Sequence, residues 1–162
     1  MSNLVNVVRR KVTGIHCDAV IVSINSTGFW FGGVTERIRE SSGNIFHSQV
    51  EAEMPLREGQ IIYVPAMVPH NGSFNGVIFV VDDQTKSVYS LTSEALETAA
   101  RHQLSCITVP TLRSAGSRTL ALAEIAMAIA DFSKKKTSVE KIYVVANSDE
   151  DESFLADELY LI

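Results

Sequence analysis

Two short segments carry residue types suited to holding a negatively charged ligand. The first reads DAVIVSINSTGFWFGGV and contains a carboxylate at Asp18, an amide at Asn25 and two adjacent glycines at its end. The second reads TLRSAGSR and spans residues 111–118. Glycine lets a backbone approach a ligand closely, and the N–H groups at a helix start attract anions. Both segments are therefore candidate anion-binding loops, although tight strand-to-helix turns would have a similar composition.

Each segment follows an apolar run that is typical of a buried strand, AVIVSI at residues 19–24 and CITVP at residues 106–110. Further strands are predicted at residues 4–8, 61–66, 77–81 and 141–146, and the main helices at residues 34–42, 87–102, 119–134 and about 149–160. Residues 61–66 and 77–81 are expected to pair as a hairpin, since PHNGSFNG between them has turn composition.

This alternation predicts a single domain over residues 1–162 with an α/β fold. We expect a three-layer α/β/α sandwich with a mixed, largely parallel central sheet. Ligands of such sheets bind beyond the carboxyl ends of the strands. Both candidate loops follow strand ends, so we expect them to meet in one cleft.

The composition limits the classes of ligand and the cellular location that we expect for this chain. The net charge of −5 makes nucleic acid an unlikely ligand. No apolar run approaches the ~20 residues of a membrane span, and no signal peptide opens the chain, so no membrane association is expected. The two cysteines and four histidines lack metal-ligand spacing, so we expect no metal and no cofactor. A reducing, cytoplasmic location is the corresponding expectation.

The common catalytic and phosphate-binding motifs are absent. The sequence contains neither G-x-x-x-x-G-K-[ST] nor G-x-G-x-x-G, and it has no G-x-S-x-G nucleophile elbow. No pair of acidic residues is marked out as acid and base. The residues alone therefore leave enzyme and binding module open.

The first segment resembles the signature of macro domains, which are α/β/α modules that bind ADP-ribose. In that family the segment runs D-A-[IV]-V-N-A-A-N-x-x-L-x-G-G-G-G-V and is followed by a helix that ends in glycine. Asp18 and Ala19 match the opening, Asn25 matches the second asparagine, and residues 32–34 match the end of the glycine loop. The second segment, with Gly116, lies where the family has S-T-G-x-Y-G.

The resemblance implies a role for each matching residue. Asp18 would accept a hydrogen bond from adenine, and Asn25 would bind the distal ribose. The backbone at residues 32–34 would hold the diphosphate from one side and residues 114–117 from the other, while Arg118 could add charge. The ligand-binding residues implied are Asp18, Ala19, Asn25, Gly32, Gly33, Val34, Ser114, Ala115, Gly116, Ser117 and Arg118.

Departures from the family pattern bear on catalysis. Many hydrolases of the family have an aspartate after the glycine-loop valine, where this chain has Thr35, a residue that cannot act as a base. The loop tyrosine of G-x-Y-G is also replaced, by Ser117. Asn25 would be the catalytic residue if the chain is an enzyme. Trp30 and Phe31 replace two loop glycines and would form a lid over the ribose, fill the groove, or contact a partner protein.

Three functions follow as expectations. The first is binding of ADP-ribose, either free or attached to a protein. The second is hydrolysis in the same pocket, removing ADP-ribose from proteins or phosphate from ADP-ribose 1″-phosphate. The third is a divergent macro fold that binds another nucleotide-like ligand or a protein partner.

Overall fold

The computed structural model describes residues 4–27, 32–113 and 118–160. Six strands and five helices follow one another along these ranges. The strands are β1 (Val5–Val8), β2 (Ala19–Ile24), β3 (Ile61–Pro65), β4 (Gly76–Val81), β5 (Cys106–Val109) and β6 (Lys141–Val145). The helices are α1 (Gly32–Ser42), α2 (His47–Glu51), α3 (Val88–Arg101), α4 (Arg118–Ser133) and α5 (Asp149–Tyr160), and Val12–Gly14 form a 3-10 turn.

The strands form one mixed sheet in the order β1-β6-β5-β2-β4-β3. Every neighbouring pair is parallel except β3 with β4, in which Tyr63 lies opposite Ile78. The predicted α/β fold with a largely parallel sheet is confirmed. All strands but β3 therefore present their carboxyl ends at the same edge, which we call the carboxyl edge of the sheet.

Successive side chains of the central strands enter two separate cores. In β2, Ala19 and Ile21 pack with the face covered by α3, α4 and α5. Val20, Val22 and Ile24 pack with the opposite face, together with residues of α1 and α2. Strand side chains alternate between the two sides of a sheet, so a strand covered on both sides needs apolar residues at nearly every position. This requirement explains the AVIVSI run.

Helix ends follow their local sequence signals. The Ser87 hydroxyl accepts a hydrogen bond from the Ser90 N–H at 3.0 Å, which caps α3. Ser148 caps α5 in the same way through the Asp151 N–H at 3.1 Å. Gly43 ends α1 with φ of +61°, a left-handed conformation that favours glycine. Helix α1 begins at Gly32, two residues before the predicted start.

The connection between β3 and β4 is not a tight turn, although the two strands pair antiparallel as predicted. Phe74 is 1% exposed and packs against Phe46, with ring centroids 5.5 Å apart. The Ser73 N–H also donates to the Thr13 carbonyl at 2.8 Å. The segment thus crosses one face of the molecule and fills part of its smaller core. Within the described ranges, no helix is long and apolar enough to cross a membrane.

Candidate functional site

The two candidate loops begin at a reversal in the fold. Strands β2 and β5 are parallel neighbours. The helix after β2 is α1, whose Ile38 packs in the smaller core, whereas the helix after β5 is α4, whose Ile125 packs in the larger core on the other face. Connections that leave adjacent strands towards opposite faces open a crevice at their carboxyl ends, and this is the usual ligand position in open α/β sheets.

A cavity of about 450 Å³ opens on the carboxyl edge beside this crevice. Its walls come from the segments after three parallel strands, at residues 9–12 after β1, 110–111 after β5 and 145–147 at the end of β6. Val34 and Arg37, one turn apart on α1, also line the cavity. Small-molecule sites usually occupy 300 to 1,000 Å³ as an order of magnitude, so the cavity has the size of a ligand site.

Asn25, the first residue after β2, shapes the loop that follows. Its side-chain oxygen accepts hydrogen bonds from the Thr27 N–H at 3.0 Å and from the Thr27 hydroxyl at 2.5 Å. This is an Asx-type turn, in which a side chain substitutes for a backbone acceptor. The adjacent Ser26 N–H donates to Asp83 at 2.9 Å, which connects the loop to the segment after β4. Hydrogen bonds from the hydroxyl and the N–H of Ser26 hold the pKa of Asp83 below its ordinary value.

The second loop is fixed at its start by one apolar and one ionic contact. Leu112 is 3% exposed and belongs to the larger core. Arg113 has φ of +55° and directs its guanidinium group to Asp82 at the end of β4. Its Nε donates to Oδ2 at 2.7 Å, and Nη2 donates to Oδ1 and to the Lys86 carbonyl.

The Asp82–Arg113 pair is largely enclosed, with the side chains 3% and 22% exposed. The Oδ1 atom of Asp82 also accepts a hydrogen bond from the Gln84 N–H at 2.8 Å. The hydrogen bonds to Asp82 raise the pKa of Arg113 above its ordinary value, so the guanidinium stays charged. A bidentate pair of this kind is geometrically specific, and it fixes the end of β4 relative to the loop after β5.

The comparisons with known proteins come from structure alone. No protein-family model matches the sequence, and no curated protein matches it either. Among solved structures, the Trypanosoma brucei macrodomain in complex with ADP superposes with a TM-score of 0.82 at 13% identity, over 96% of this chain and 69% of that one. The macro domain of ganglioside induced differentiation associated protein 2 gives 0.82 at 19% identity, over 98% and 83%.

A variant of the Oceanobacillus iheyensis macrodomain, solved with ADPR, gives a TM-score of 0.75 at 19% identity, over 97% of this chain and 92% of that one. The T. brucei protein was also solved with ADP-ribose, at a TM-score of 0.80 and 14% identity, over 94% and 68%. The chain has the macrodomain fold. The prediction made from the DAVIVSIN segment is confirmed at the level of architecture.

Within the macrodomain fold, Asp18 lies apart from the other predicted site residues. It precedes β2, whereas Asn25 follows it, and six residues of strand separate them by about 20 Å. Its Oδ2 accepts hydrogen bonds from the N–H groups of Ser105 and Cys106 at 2.7 and 3.0 Å and from the Ser105 hydroxyl at 2.9 Å. Asp18 therefore joins the starts of β2 and β5, and we leave it out of the candidate site.

The pKa of Asp18 reflects this structural position. Partial burial of the carboxyl group opposes ionisation, but the hydrogen bonds from Ser105 and Cys106 outweigh it and leave the pKa below its ordinary value. Ala19, also predicted to contact the ligand, is 0% exposed and belongs to the larger core. The side chain of Ala19 therefore has no surface to offer a ligand, and its predicted contact stays a prediction.

The remaining predicted residues are only partly placed, and Asn25, directly after β2, is not among the described residues that line the cavity. Val34 lines the cavity, Gly32 and Gly33 begin α1, and Arg118 begins α4. Their roles in binding stay predictions. The positions outside the described residues are Trp30, Phe31, Ser114, Ala115, Gly116 and Ser117.

Sequence reasoning missed the charged part of the cavity wall. Arg9, Arg10, Lys11 and Arg37 all line it. The run RRK directly after a predicted strand was an available signal, because residues after parallel strands gather at the ligand-binding edge. Arg37 had no such signal, since only the packing of α1 determines which of its polar residues turns towards the cavity. No group of three or more His, Cys, Asp or Glu side chains in the described ranges is arranged to hold a metal ion.

Proposed function

We propose that this chain binds ADP-ribose, free or attached to a protein, in the cavity at the carboxyl edge. The observation that carries the proposal is the cavity itself, which lies where a macrodomain fold brings the start of α1 next to the end of β5. The T. brucei macrodomain of the same fold was solved with ADP and with ADP-ribose.

The start of α1 is suited to the diphosphate. The first N–H groups of an α-helix have no partner within the helix, and its dipole favours negative charge there. Val34, in this first turn, lines the cavity. A diphosphate held by backbone N–H groups needs no excess of positive charge in the whole protein, which is consistent with a ligand dianion and a net charge of −5.

Thr111 offers a second polar contact, from the segment after β5. It lies two residues after β5 and lines the cavity. Its hydroxyl oxygen is buried and has no hydrogen-bond partner among the described residues. Buried polar atoms are normally paired, so a ligand oxygen or hydroxyl would complete this site.

Binding is favoured over catalysis by the side chains of the cavity wall. Among the described residues that line it there is no aspartate or glutamate. Thr35, which stands where many hydrolases of this fold family have an aspartate, is 4% exposed. General acid–base catalysis needs a titratable group within hydrogen-bond reach of the substrate. We therefore propose binding as the function, and hydrolysis with Asn25 as the catalytic residue stays the alternative prediction.

The test is calorimetric titration with ADP-ribose, with AMP and ribose 5-phosphate as fragments. We expect a dissociation constant of about 1 μM, equivalent to about −8 kcal/mol, and much weaker binding of either fragment. Val34→Asp should weaken binding about tenfold or more, because a carboxylate would face the diphosphate at about 1.4 kcal/mol per tenfold change.

Ser90→Asp is the matched control. Ser90 is the third residue of α3 as Val34 is of α1, so each variant adds one negative charge in a helix first turn. Ser90 does not line the cavity, and its variant should bind as the unmodified protein does. Circular dichroism establishes that both variants are folded. Absence of ADP-ribose binding up to millimolar concentration would overturn the proposal.

A further inference from the structure

The cavity carries more positive charge than ADP-ribose binding requires. Four cationic side chains line it, from Arg9, Arg10, Lys11 and Arg37. No carboxylate is among the described lining residues. The whole chain, by contrast, has a net charge of −5. Positive charge is thus concentrated at one concave place on an acidic protein, and a concave site strengthens the local potential.

Two of these four cations contact other protein groups. Arg9 forms an ion pair with Asp149 at the start of α5. Arg10 donates to the Gly14 carbonyl at 3.0 Å, a contact that leaves its charge uncompensated. Asp149 is 92% exposed in this pair and does not line the cavity.

The other two cations have no structural partner among the described residues. No hydrogen bond or ion pair connects the side chain of Lys11 or of Arg37 to another described residue. Both residues are exposed, yet they approach the same cavity from two elements, the turn after β1 and helix α1. Like charges that line one cavity repel each other, and a bound anion relieves that repulsion.

The position of the cationic residues in the cleft indicates which part of the ligand they contact. If Asn25 binds the distal ribose, that ribose lies at the end of β2, and the diphosphate lies at the start of α1. The adenosine then extends along the edge past β5 towards β6 and β1, where residues 9–11 stand. Adenosine is uncharged at neutral pH, so an unmodified adenosine leaves Arg10 and Lys11 without a counter-charge.

We propose that this part of the cavity is a second anion subsite and that the preferred ligand is an ADP-ribose carrying a phosphomonoester on its adenosine ribose. Lys11 and Arg37 contact that phosphate from two elements, the turn after β1 and helix α1, and Arg10 adds to the field. This inference rests on the proposed function and specifies its ligand class. A compact ligand fits the arrangement better than nucleic acid, because the charges converge on one cavity instead of following a surface stripe.

The experiment compares three ligands by calorimetry, namely ADP-ribose, ADP-ribose 2′-phosphate and ADP-ribose 1″-phosphate. The last two have the same charge but carry the extra phosphate at opposite ends. We expect the 2′-phosphate to bind about tenfold tighter than ADP-ribose, as hydrogen bonds to charged groups are worth about 1.5 kcal/mol or more. The 1″-phosphate should show no comparable gain, because its phosphate lies at the other end of the cleft.

Two variants assign the gain to the proposed residues. Lys11→Gln and Arg37→Gln should each reduce the affinity ratio between the 2′-phosphate and ADP-ribose about threefold or more, as a partly exposed charge pair contributes up to about 1 kcal/mol. Lys136→Gln is the matched control for Lys11→Gln. Lys136 is exposed and lies between α4 and β6, at the opposite edge of the sheet, so its variant should keep the ratio.

The outcomes separate this inference from the proposed function. Tight binding of ADP-ribose with no gain for the 2′-phosphate overturns the second subsite and leaves the proposed function standing. An equal gain for the 1″-phosphate also overturns it, since the effect would then be one of net charge. If none of the three ligands binds, both proposals fail. Displacement of bound ADP-ribose by a single-stranded DNA oligonucleotide, without a gain for the 2′-phosphate, would assign the cations to nucleic acid instead.

Discussion

The carboxyl edge of the sheet holds two kinds of cation, on either side of β5. On the β4 side, Arg113 is enclosed and contacts Asp82 through two hydrogen bonds. On the β1 side, Lys11 and Arg37 are exposed on a cavity wall, and no described residue pairs with either. Each of these three side chains carries one positive charge close to the same edge. The difference indicates that Arg113 stabilises the fold, whereas the cavity cations are available to a ligand.

Among the variants that test this contrast, Asp82→Ala should have the largest effect on stability. Removing the carboxylate leaves a largely buried guanidinium without a counter-charge, and we expect a loss of about 3 kcal/mol in the free energy of unfolding. Urea denaturation followed by circular dichroism measures it. The double variant Asp82→Leu with Arg113→Met should recover most of the loss, since an apolar pair needs no compensation. A loss below about 1 kcal/mol for Asp82→Ala, the range of exposed pairs, would contradict the assignment.

Asp18 provides a second comparison with Asp82. The hydrogen-bond donors to Asp18 are the neutral groups of Ser105 and Cys106, whereas Asp82 pairs with a cation. We expect Asp18→Asn to cost about 1 to 2 kcal/mol of unfolding free energy at pH 7, because the donors of Ser105 and Cys106 lose a charged acceptor. This is less than the effect at Asp82.

The pH dependence of the Asp18 effect has a definite sign. The folded-state pKa of Asp18 lies below its ordinary value, so ionisation stabilises the folded state above the unfolded pKa of about 3.9. That contribution is lost as pH falls from this value through the folded-state pKa. The stability difference between the original protein and Asp18→Asn should therefore be full at pH 6 to 7 and shrink below about pH 4. A difference that is constant down to about pH 2 would contradict this interpretation.

The smallest expected effect is that of Asp149→Ala. Its pair with Arg9 is exposed, at 92% and 43% of the two side chains, so the unfolding free energy should change by less than about 0.5 kcal/mol. Loss of the carboxylate should at the same time increase the affinity for an anionic ligand, because Arg9 lines the cavity. Glu158→Ala, at an exposed position near the end of α5, is the matched control. A large loss of stability in Asp149→Ala would indicate that Arg9, like Arg113, stabilises the fold.

The sequence was sufficient for the architecture because the strands are specified locally. AVIVSI and VIFVV are apolar at almost every position, as a strand covered on both faces requires. Ser87 and Ser148 mark helix starts through their hydroxyl groups, and Gly43 marks a helix end through its positive φ. The macrodomain resemblance then supplied the order of the elements. Periodicity could not predict the path of the β3–β4 connection, because Phe74 is placed by its contact with Phe46, which is distant in sequence.

The candidate site was less accessible from the sequence. Asp18 matched the family signature, but the structure places it before β2, at the edge opposite the cavity, because a motif fixes the spacing along the chain and not the edge at which a side chain lies. Asp82 and Arg113 are 31 residues apart, and only the parallel pairing of β4 with β2 and β2 with β5 brings them together. Lys11 and Arg37 converge for the same reason, through contacts between elements that no local pattern encodes.

The alternation of β2 between two cores has a consequence for how such proteins can diverge. A one-residue insertion within β2 would exchange its two sets of side chains between the cores, and every later contact of that strand would be lost. Changes in length are therefore tolerated mainly in the segments beyond the strand ends. Those same segments line the cavity at the carboxyl edge. The sheet can therefore be conserved while the ligand preference changes. This is consistent with an architecture shared with the solved macrodomains at 13% to 19% identity.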